Sequence, residues 1–304
     1  MDPRLRLERI SWGASGYHIN LDDQVDRARS RSPSHGSRAL VYRGTLQRST
    51  GRKAVAIKVL RSGPPSDEEP RRAFLREISR WSKLRHRNIV RVSGITTKFD
   101  YAISLITEWA DMGNAIDYVQ NRSVDPRPLL IDVAHGLSYL HGQRPPIVHG
   151  DLRGKNVLVS QDGRALVADY GVTTLVDSVF DNSVAVSSSG GACIRWVAPE
   201  TLERKGEPPA IKDDRWAYGM LILELLTTRS PFHEIPELRA VISRIKQGPP
   251  DRPSDKDTHR RLTNAWWNVC RSCWHRVPSH RPPISDVLRS FSNVSTSSSC
   301  NSYL

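Results

Sequence analysis

The chain has 304 residues, 38% of them apolar and 25% charged, enough for one large domain or two lobes around a sizeable core. Its formal charge of +13 comes from scattered bases (Arg4, Arg6, Arg27, Arg29, Arg31, Arg71, Arg72, Arg260, Arg261) with no Lys/Arg run interleaved with aromatics; this argues for a solvated basic surface and against a specific nucleic-acid site. The most apolar stretch, Met220 to Leu226, is too short to span a membrane and carries Glu224, and the opening MDPRLRLERI lacks the apolar region of a secretory leader.

In chain order, residues 1–33 are polar and read as a partly flexible extension, with a first strand somewhere before Gly36. LVYRG (40–44) and AVAIKVL (54–60) are short, β-branched runs and predict strands joined by a turn over Ser49 to Arg52. Pro64 and Pro65 break the pattern, and then Phe74, Leu75, Ile78, Trp81 and Leu84 recur at helical spacing. Ile89–Ile95 and Tyr101–Glu108 are two more strand signals. Beyond them Leu129, Leu130, Val133, Ala134, Leu137 and Leu140 form an amphipathic helical stripe. Trp216 to Leu226 is apolar nearly all round and predicts a helix buried at the centre of a lobe. A last helix is expected over Ile284 to Phe291, followed by a Ser-rich tail, 292–304. Four cysteines (Cys193, Cys270, Cys273, Cys300) do not make a disulfide scaffold, so a reducing, cytoplasmic compartment is expected. Cys270-x-x-Cys273, near His275 and His280, has no partner pair at zinc-ribbon spacing, and Trp274 beside it reads as helix packing. The sum is a small strand-rich lobe and a larger helical one, joined near Glu108–Gly113, a usual place for a small-molecule site.

Three stretches carry chemistry. Lys58, in Val55-Ala56-Ile57-Lys58, lies in an otherwise apolar strand, so its ammonium needs a counter-charge, and Glu77 on the following helix is the candidate. A lone strand lysine would ordinarily face solvent. His149-Gly150-Asp151-Leu152-Arg153-Gly154-Lys155-Asn156 puts a carboxylate and an amide in one loop, where Asp151 can accept a proton and Asn156 can offer oxygen to a hard cation. Alone it is common turn chemistry. Ala168-Asp169-Tyr170-Gly171, after the strand-like Ala165-Leu166-Val167, supplies a second metal-binding group, a carboxylate. A cation, two metal-holding groups and a proton acceptor are what phosphoryl transfer asks of a protein.

In this order the motifs resemble the catalytic motifs of eukaryotic protein kinases: VAIK, HGDLRGKN, ADYG, then Trp196-Val197-Ala198-Pro199-Glu200. Asp214-Arg215-Trp216-Ala217-Tyr218-Gly219 resembles the family's D-x-W-x-x-G, and Leu84 to Val90 resembles its L-x-H-x-N-I-V. Cys273-Trp274 with His280-Arg281-Pro282 resembles its late C-W…R-P element. The Arg-Trp before Ala-Pro-Glu and the His-Gly-Asp loop look most like the tyrosine-kinase-like group.

The resemblance implies an α+β, bilobal protein kinase fold: a small antiparallel-sheet N-lobe with one helix (34–108), a hinge (108–113) and a larger, mainly helical C-lobe (114–291). It implies ATP and Mg2+ as cofactors and a protein substrate with a Ser/Thr acceptor, tyrosine being the second choice; the scattered charge and the lack of a long apolar stretch predict no specific nucleic acid and no membrane as partner. Asp151, Lys58, Glu77 and Arg153 are the implied catalytic set. Asn156 and Asp169 are the implied metal ligands. Gly36, Val41, Ala56, Lys58, Thr107 (as gatekeeper), Glu108, Ala110 and Leu158 are the implied ATP-binding set. The resemblance further implies that Asp214 braces the catalytic loop and that Arg281 pairs with Glu200.

The chain departs from the family at Ser34-His35-Gly36-Ser37-Arg38-Ala39-Leu40-Val41, where only Gly36 remains of the glycine-rich loop. Gly150 stands where the family has arginine, so activity is expected not to need phosphorylation of Ser183, Ser187, Ser188 or Ser189. Arg153 stands where Ser/Thr kinases usually carry lysine, and some tyrosine kinases share it. The other function class these departures leave open is a pseudokinase scaffold, which binds nucleotide or partners without turnover.

Overall fold

A computed structural model describes residues 4, 8, 13, 14, 16–28, 33–35, 39–60, 67–100, 102–179, 193–204 and 207–297. The chain divides into two compact units, residues 1–85, 90–109 and 175–190 in the first and 86–89, 110–174 and 191–304 in the second.

The first unit is built on an antiparallel sheet. Its strands are β1 (Val25–Arg27), β2 (Ser34–His35), β3 (Ala39–Arg48), β4 (Gly51–Leu60), β5 (Val92–Thr96) and β6 (Ser104–Glu108). The order is β1-β3-β4-β6-β5, with β2 beside β3. β3 and β4 form a long hairpin paired from Ala39↔Leu60 to Arg48↔Gly51. Because strand side chains alternate between faces, the register sorts this sheet. Val55, Ile57 and Val59 fall on one face with Leu46 and Ile106, and join Leu21 and Val25 in an apolar cluster. The other face is set by the pairs Val41↔Lys58, Ala56↔Thr107 and Lys58↔Leu105.

The expected helix is α1 (Glu68–Lys83), with Glu68 and Glu69 in its first turn and Arg80 and Lys83 in its last, as the helix dipole favours. Phe74, Leu75, Ile78 and Trp81 are its buried stripe. Part of the segment expected to be an extension is packed structure. Ile19, Leu21 and Val25 are buried, and residues 19–21 pair with β5 through Ile95 N–H to Ile19 O (2.8 Å) and Leu21 N–H to Ile95 O (2.9 Å). Gly94 makes the approach possible, since a Cβ there would lie 2.3 Å from Ile19 O. The strand expected over 89–95 starts only at Val92. Ile89 instead makes a single parallel bridge to Val167 in the second unit, where the Asn88 amide is fixed on Ala165 O at 3.1 Å.

The second unit is mainly helical: α2 (Ala115–Tyr118), α3 (Arg127–His141), the short pair β7 (Val157–Val159) and β8 (Ala165–Val167), α5 (Pro199–Glu203), α6 (Ile211–Thr227), α7 (Leu238–Gln247), α8 (Asn264–Cys273) and α9 (Ile284–Ser297). A further helix, α4 (Val172–Val179), starts in this unit directly after Asp-Tyr-Gly, where no helix was expected. α6 is buried from Trp216 to Leu226, as its apolar composition predicts, and Tyr218 ties it to α3 by donating to Leu130 O at 3.0 Å. Trp274 does pack as expected, 6.4 Å from the Trp216 ring and 5.8 Å from the Trp267 ring.

Candidate active site

In the first unit, Val41, Ala56, Lys58 and Thr107 share the sheet face opposite the apolar cluster. Lys58 is buried. Its expected partner is engaged elsewhere: Glu77 lies off the buried stripe of α1, its side chain 40% exposed and 3.6 Å from Arg80 of the same helix. Among the described residues the Lys58–Glu77 pair is not formed, because the rotation of α1 turns Phe74, Leu75 and Ile78 inward and leaves position 77 at the margin. Thr107 Oγ1 is buried and has no hydrogen-bond partner among the described residues. Glu108 donates its backbone N–H to Arg91 O at 3.1 Å. Gly36 lies outside the described residues, as do Ser37, Arg38, Ser183, Ser187, Ser188 and Ser189.

In the second unit, the loop that follows α3 and leads into β7 is held from beneath by α6. Asp214 accepts the backbone N–H groups of His149 (2.7 Å) and Gly150 (2.9 Å) and a contact from His141 Nε2 at 2.8 Å. Burial pushes the Asp214 pKa up, but the His141 hydrogen bond and charge, with those of His149 and Gly150, outweigh it and hold the group below the usual carboxylate range. Gly150 sits at φ +76°, and a Cβ there would lie 3.3 Å from Pro209 Cγ. This left-handed backbone favours glycine.

The braced loop fixes three of the expected residues around one another. Asn156 Nδ2 donates to Asp151 O (2.7 Å) and to Asp151 Oδ2 (2.9 Å), while Arg153 Nε lies 3.3 Å from Asp151 Oδ1. Asp151 thus has one carboxylate oxygen against an amide and the other against a guanidinium. Asn156 accepts Ala168 N–H on its backbone carbonyl at 2.9 Å, which leaves its side-chain oxygen, the atom type magnesium takes. Asp169 adopts φ +58°, uncommon for a residue with a side chain and frequent at functional positions. Next to it, Gly171 N–H reaches back to His149 O at 3.1 Å. Leu158 is half-buried on β7, and Ala110 accepts Gly113 N–H at 3.4 Å.

The segment from Arg195 to Glu200 is anchored at three points. Arg195 donates to the carbonyls of Pro231 (3.2 Å), Phe232 and Ile235 (2.7 Å). Trp196 Nε1 donates to Glu224 Oε2 at 2.9 Å. Glu200 pairs bidentately with buried Arg281 at 2.6 and 2.8 Å, as expected. The sequence reading missed His141, Arg195 and Glu224 as contributors. Of these only Glu224, a lone charge within an apolar helix, carried a local signal.

A helical unit that braces an Asp-Asn loop, with an antiparallel-sheet unit that buries a strand lysine, defines a protein kinase domain. The family described as Protein tyrosine and serine/threonine kinase matches residues 30–291, and the chain belongs to it. It is 29% identical over 93% of its length to Serine/threonine-protein kinase STY46 of Arabidopsis thaliana, covering 46% of that protein. It is 29% identical over 90% of its length to Serine/threonine-protein kinase TNNI3K of Mus musculus, covering 32% of it. Its identity to Cytoplasmic tyrosine-protein kinase BMX of Homo sapiens is 28% over 79% of the chain, covering 34% of that protein. The chain therefore spans less than half the length of these curated relatives.

Proposed function

We propose that residues 34–291 form a protein kinase domain that transfers the γ-phosphate of magnesium-bound ATP to a serine or threonine hydroxyl of another protein. The observation that carries this reading is the Asp151 carboxylate, held by Asn156 at 2.9 Å and Arg153 at 3.3 Å in a loop braced by Asp214. In the reaction the acceptor oxygen bonds to the γ-phosphorus, the bond to the β–γ bridging oxygen breaks, ADP leaves, and Asp151 takes the hydroxyl proton. General-base help of this kind is worth about 10²–10⁴ in rate. Magnesium, when bound, neutralises charge on the phosphates; the side-chain oxygens of Asn156 and Asp169 would hold it. Lys58 neutralises the phosphates from the sheet, and Arg153 screens the carboxylate and the incoming γ-phosphate. The adenine would take the Glu108 carbonyl and the Ala110 N–H, beside Thr107, with Val41, Ala56 and Leu158 packing on its faces. The relatives named as serine/threonine kinases support the acceptor choice. The low cysteine count, with Cys270 and Cys273 both buried as thiols, supports a reducing, cytoplasmic setting.

A second reading, a scaffold that binds without turnover, draws on the engagement of Glu77 with Arg80. Both are tested by magnesium-dependent transfer from ATP by the native chain and Asp151→Asn, with phosphoamino-acid analysis of the product. Phosphoserine or phosphothreonine, falling at least 10²-fold in the variant, is expected. Equal background rates would reject turnover and favour the scaffold instead.

A further inference from the structure

The helical unit holds a charged cleft that the phosphoryl chemistry does not use. It lies among the turn around Arg122 that follows α2, the C-terminal end of α6 and the loop between α7 and α8, and its volume is about 810 Å³. Arg122, Arg229, Lys256 and Arg260 line it with four cations, against the two carboxylates of Asp255 and Asp257. Asp257 is engaged by Ser254, whose hydroxyl donates to it at 2.5 Å. Arg229 Nη1 lies 3.2 Å from His233 Nε2, itself a base. Arg122, Lys256 and Arg260 make no side-chain hydrogen bond or ion pair among the described residues. Nearby arginines outside the cleft are engaged: Arg244 with Asp251 at 3.1 Å and Arg252 with Asn264 at 2.8 Å. The walls are tied to one another. Arg261 donates to Val124 O (2.6 Å) and Arg122 O (2.7 Å), and Gln120 Nε2 donates to Ile116 O (3.1 Å) and Thr228 O (3.3 Å). Thr258 is buried with its hydroxyl on Ser254 O at 3.3 Å, and Arg260 N–H closes the loop on Asp255 O at 2.8 Å. Thr228, His259 and Arg260 take φ of +57°, +49° and +58°, backbones that a residue with a side chain keeps only where its surroundings fix them. Like charges held together on such a frame repel one another, and a bound anion relieves this.

We propose that this cleft docks an acidic segment of the protein substrate, apart from the residues that meet its acceptor hydroxyl. Arg122, Lys256 and Arg260 pair with carboxylates of the segment, and Arg229 adds its charge. Cations spread over three stretches of chain suit several single charges spaced along a peptide better than one concentrated phosphate. The described lining has no aromatic side chain on which a nucleic-acid base could stack. Its concave shape does not fit the flat face of a bilayer, and it lacks the apolar lining usual for small ligands. The walls also continue to the catalytic loop. A Cβ on Gly154 would lie 2.9 Å from Ile116 Cβ of α2, and Glu224 Oε2, three residues before Thr227 on α6, accepts Gly154 N–H at 2.7 Å. A docked segment is thus held by the elements that support the loop of Asp151, and it raises the local concentration of the attached acceptor. Docking stands on the cleft alone; that the segment belongs to a substrate rests on the kinase reading above.

The test measures the anisotropy of a fluorescent glutamate-rich peptide on the full chain, on Arg122→Glu/Arg260→Glu, and on Arg271→Glu/Arg276→Glu. The last pair reverses two exposed arginines outside the cleft and changes the net charge equally. Binding is expected to weaken at least about tenfold in the cleft variant and to stay within about twofold of native in the other. In turnover, an acceptor peptide carrying the glutamate-rich extension should show a KM raised by about the same factor in the cleft variant, with kcat unchanged. The same acceptor without the extension should react alike in all three chains. Equal weakening in the two variants would reduce the effect to net charge and overturn the proposal. Absence of binding to the native chain, tighter binding of polyuridylate through the same two arginines, or a KM for the extended acceptor that the cleft variant does not move would overturn it as well. If Arg122→Glu/Arg260→Glu does not fold, Arg122→Gln/Arg260→Gln decides by the same criteria. A native chain without turnover rejects the kinase reading, and with it the substrate assignment, while anisotropy still decides whether the cleft docks an acidic peptide.

Discussion

Two carboxylates of α6 meet burial with opposite outcomes. Asp214 is surrounded by His141 and two backbone N–H groups, and its pKa falls. Glu224 has two neutral N–H donors on one oxygen, with Arg153 and Lys155 as the charged groups facing it; burial dominates and pushes its pKa up to about 7. The sign of the linkage follows. Between the ordinary value of 4.5 and about 7, the folded chain holds a proton that the unfolded chain has released. The Glu224 contribution to stability is therefore full below 4.5 and is lost as pH rises through about 7. The shift corresponds to about 3 kcal/mol. Glu224→Gln cannot titrate, so denaturant unfolding at pH 5 and pH 8 should differ less in this variant than in the native chain, by an amount of that order.

Among the elements, α5 and the chain before α9 are joined by Glu200 and Arg281. Arg281 also donates to His275 O and Lys212 O, and its guanidinium lies 5.0 Å from the Trp216 ring centroid. Removing one partner of a buried pair leaves an uncompensated charge, so Arg281→Ala should cost about 3–5 kcal/mol in urea unfolding. Lysine should not rescue it, since it cannot reproduce the fork. The helix α1 makes a weaker choice. Its Glu77–Arg80 contact is half-exposed and worth at most about 1 kcal/mol, so little opposes a move of Glu77 toward Lys58. Steady-state ATP turnover should accordingly fall about 10²-fold in Glu77→Gln and stay level or rise in Arg80→Ala. A loss of similar size in both would show that the Arg80 contact itself supports catalysis.

On the scale of the whole molecule, the sheet unit holds an apolar cluster of Leu21, Val25, Leu46, Val55, Ile57, Val59 and Ile106, and no helix among the described residues is long and apolar enough to cross a membrane. Regulation belongs to this scale too. Gly150 supplies no side chain at the place where the family carries a phosphate-reading arginine, and its φ of +76° with Pro209 alongside leaves little room for one. Replacing Ser183, Ser187, Ser188 and Ser189 together with alanine should therefore leave the transfer rate within tenfold of the native chain, measured on the same acceptor.

By itself the sequence determined the two kinds of architecture, the hairpin that carries Lys58, the buried α6 and the order of the motifs, because strand alternation and helical spacing are local properties of the chain. It also foretold the Glu200–Arg281 pair and the brace from Asp214, but through family likeness, since those partners are 81 and at least 64 residues apart. The tertiary structure alone decided that residues 19–27 join the sheet, that Glu77 sits beside Arg80, that α4 follows Asp-Tyr-Gly and that Glu224 links Gly154 to Trp196. Each of these depends on which surfaces meet once the chain is packed, and contacts of that kind leave no period in the sequence to read.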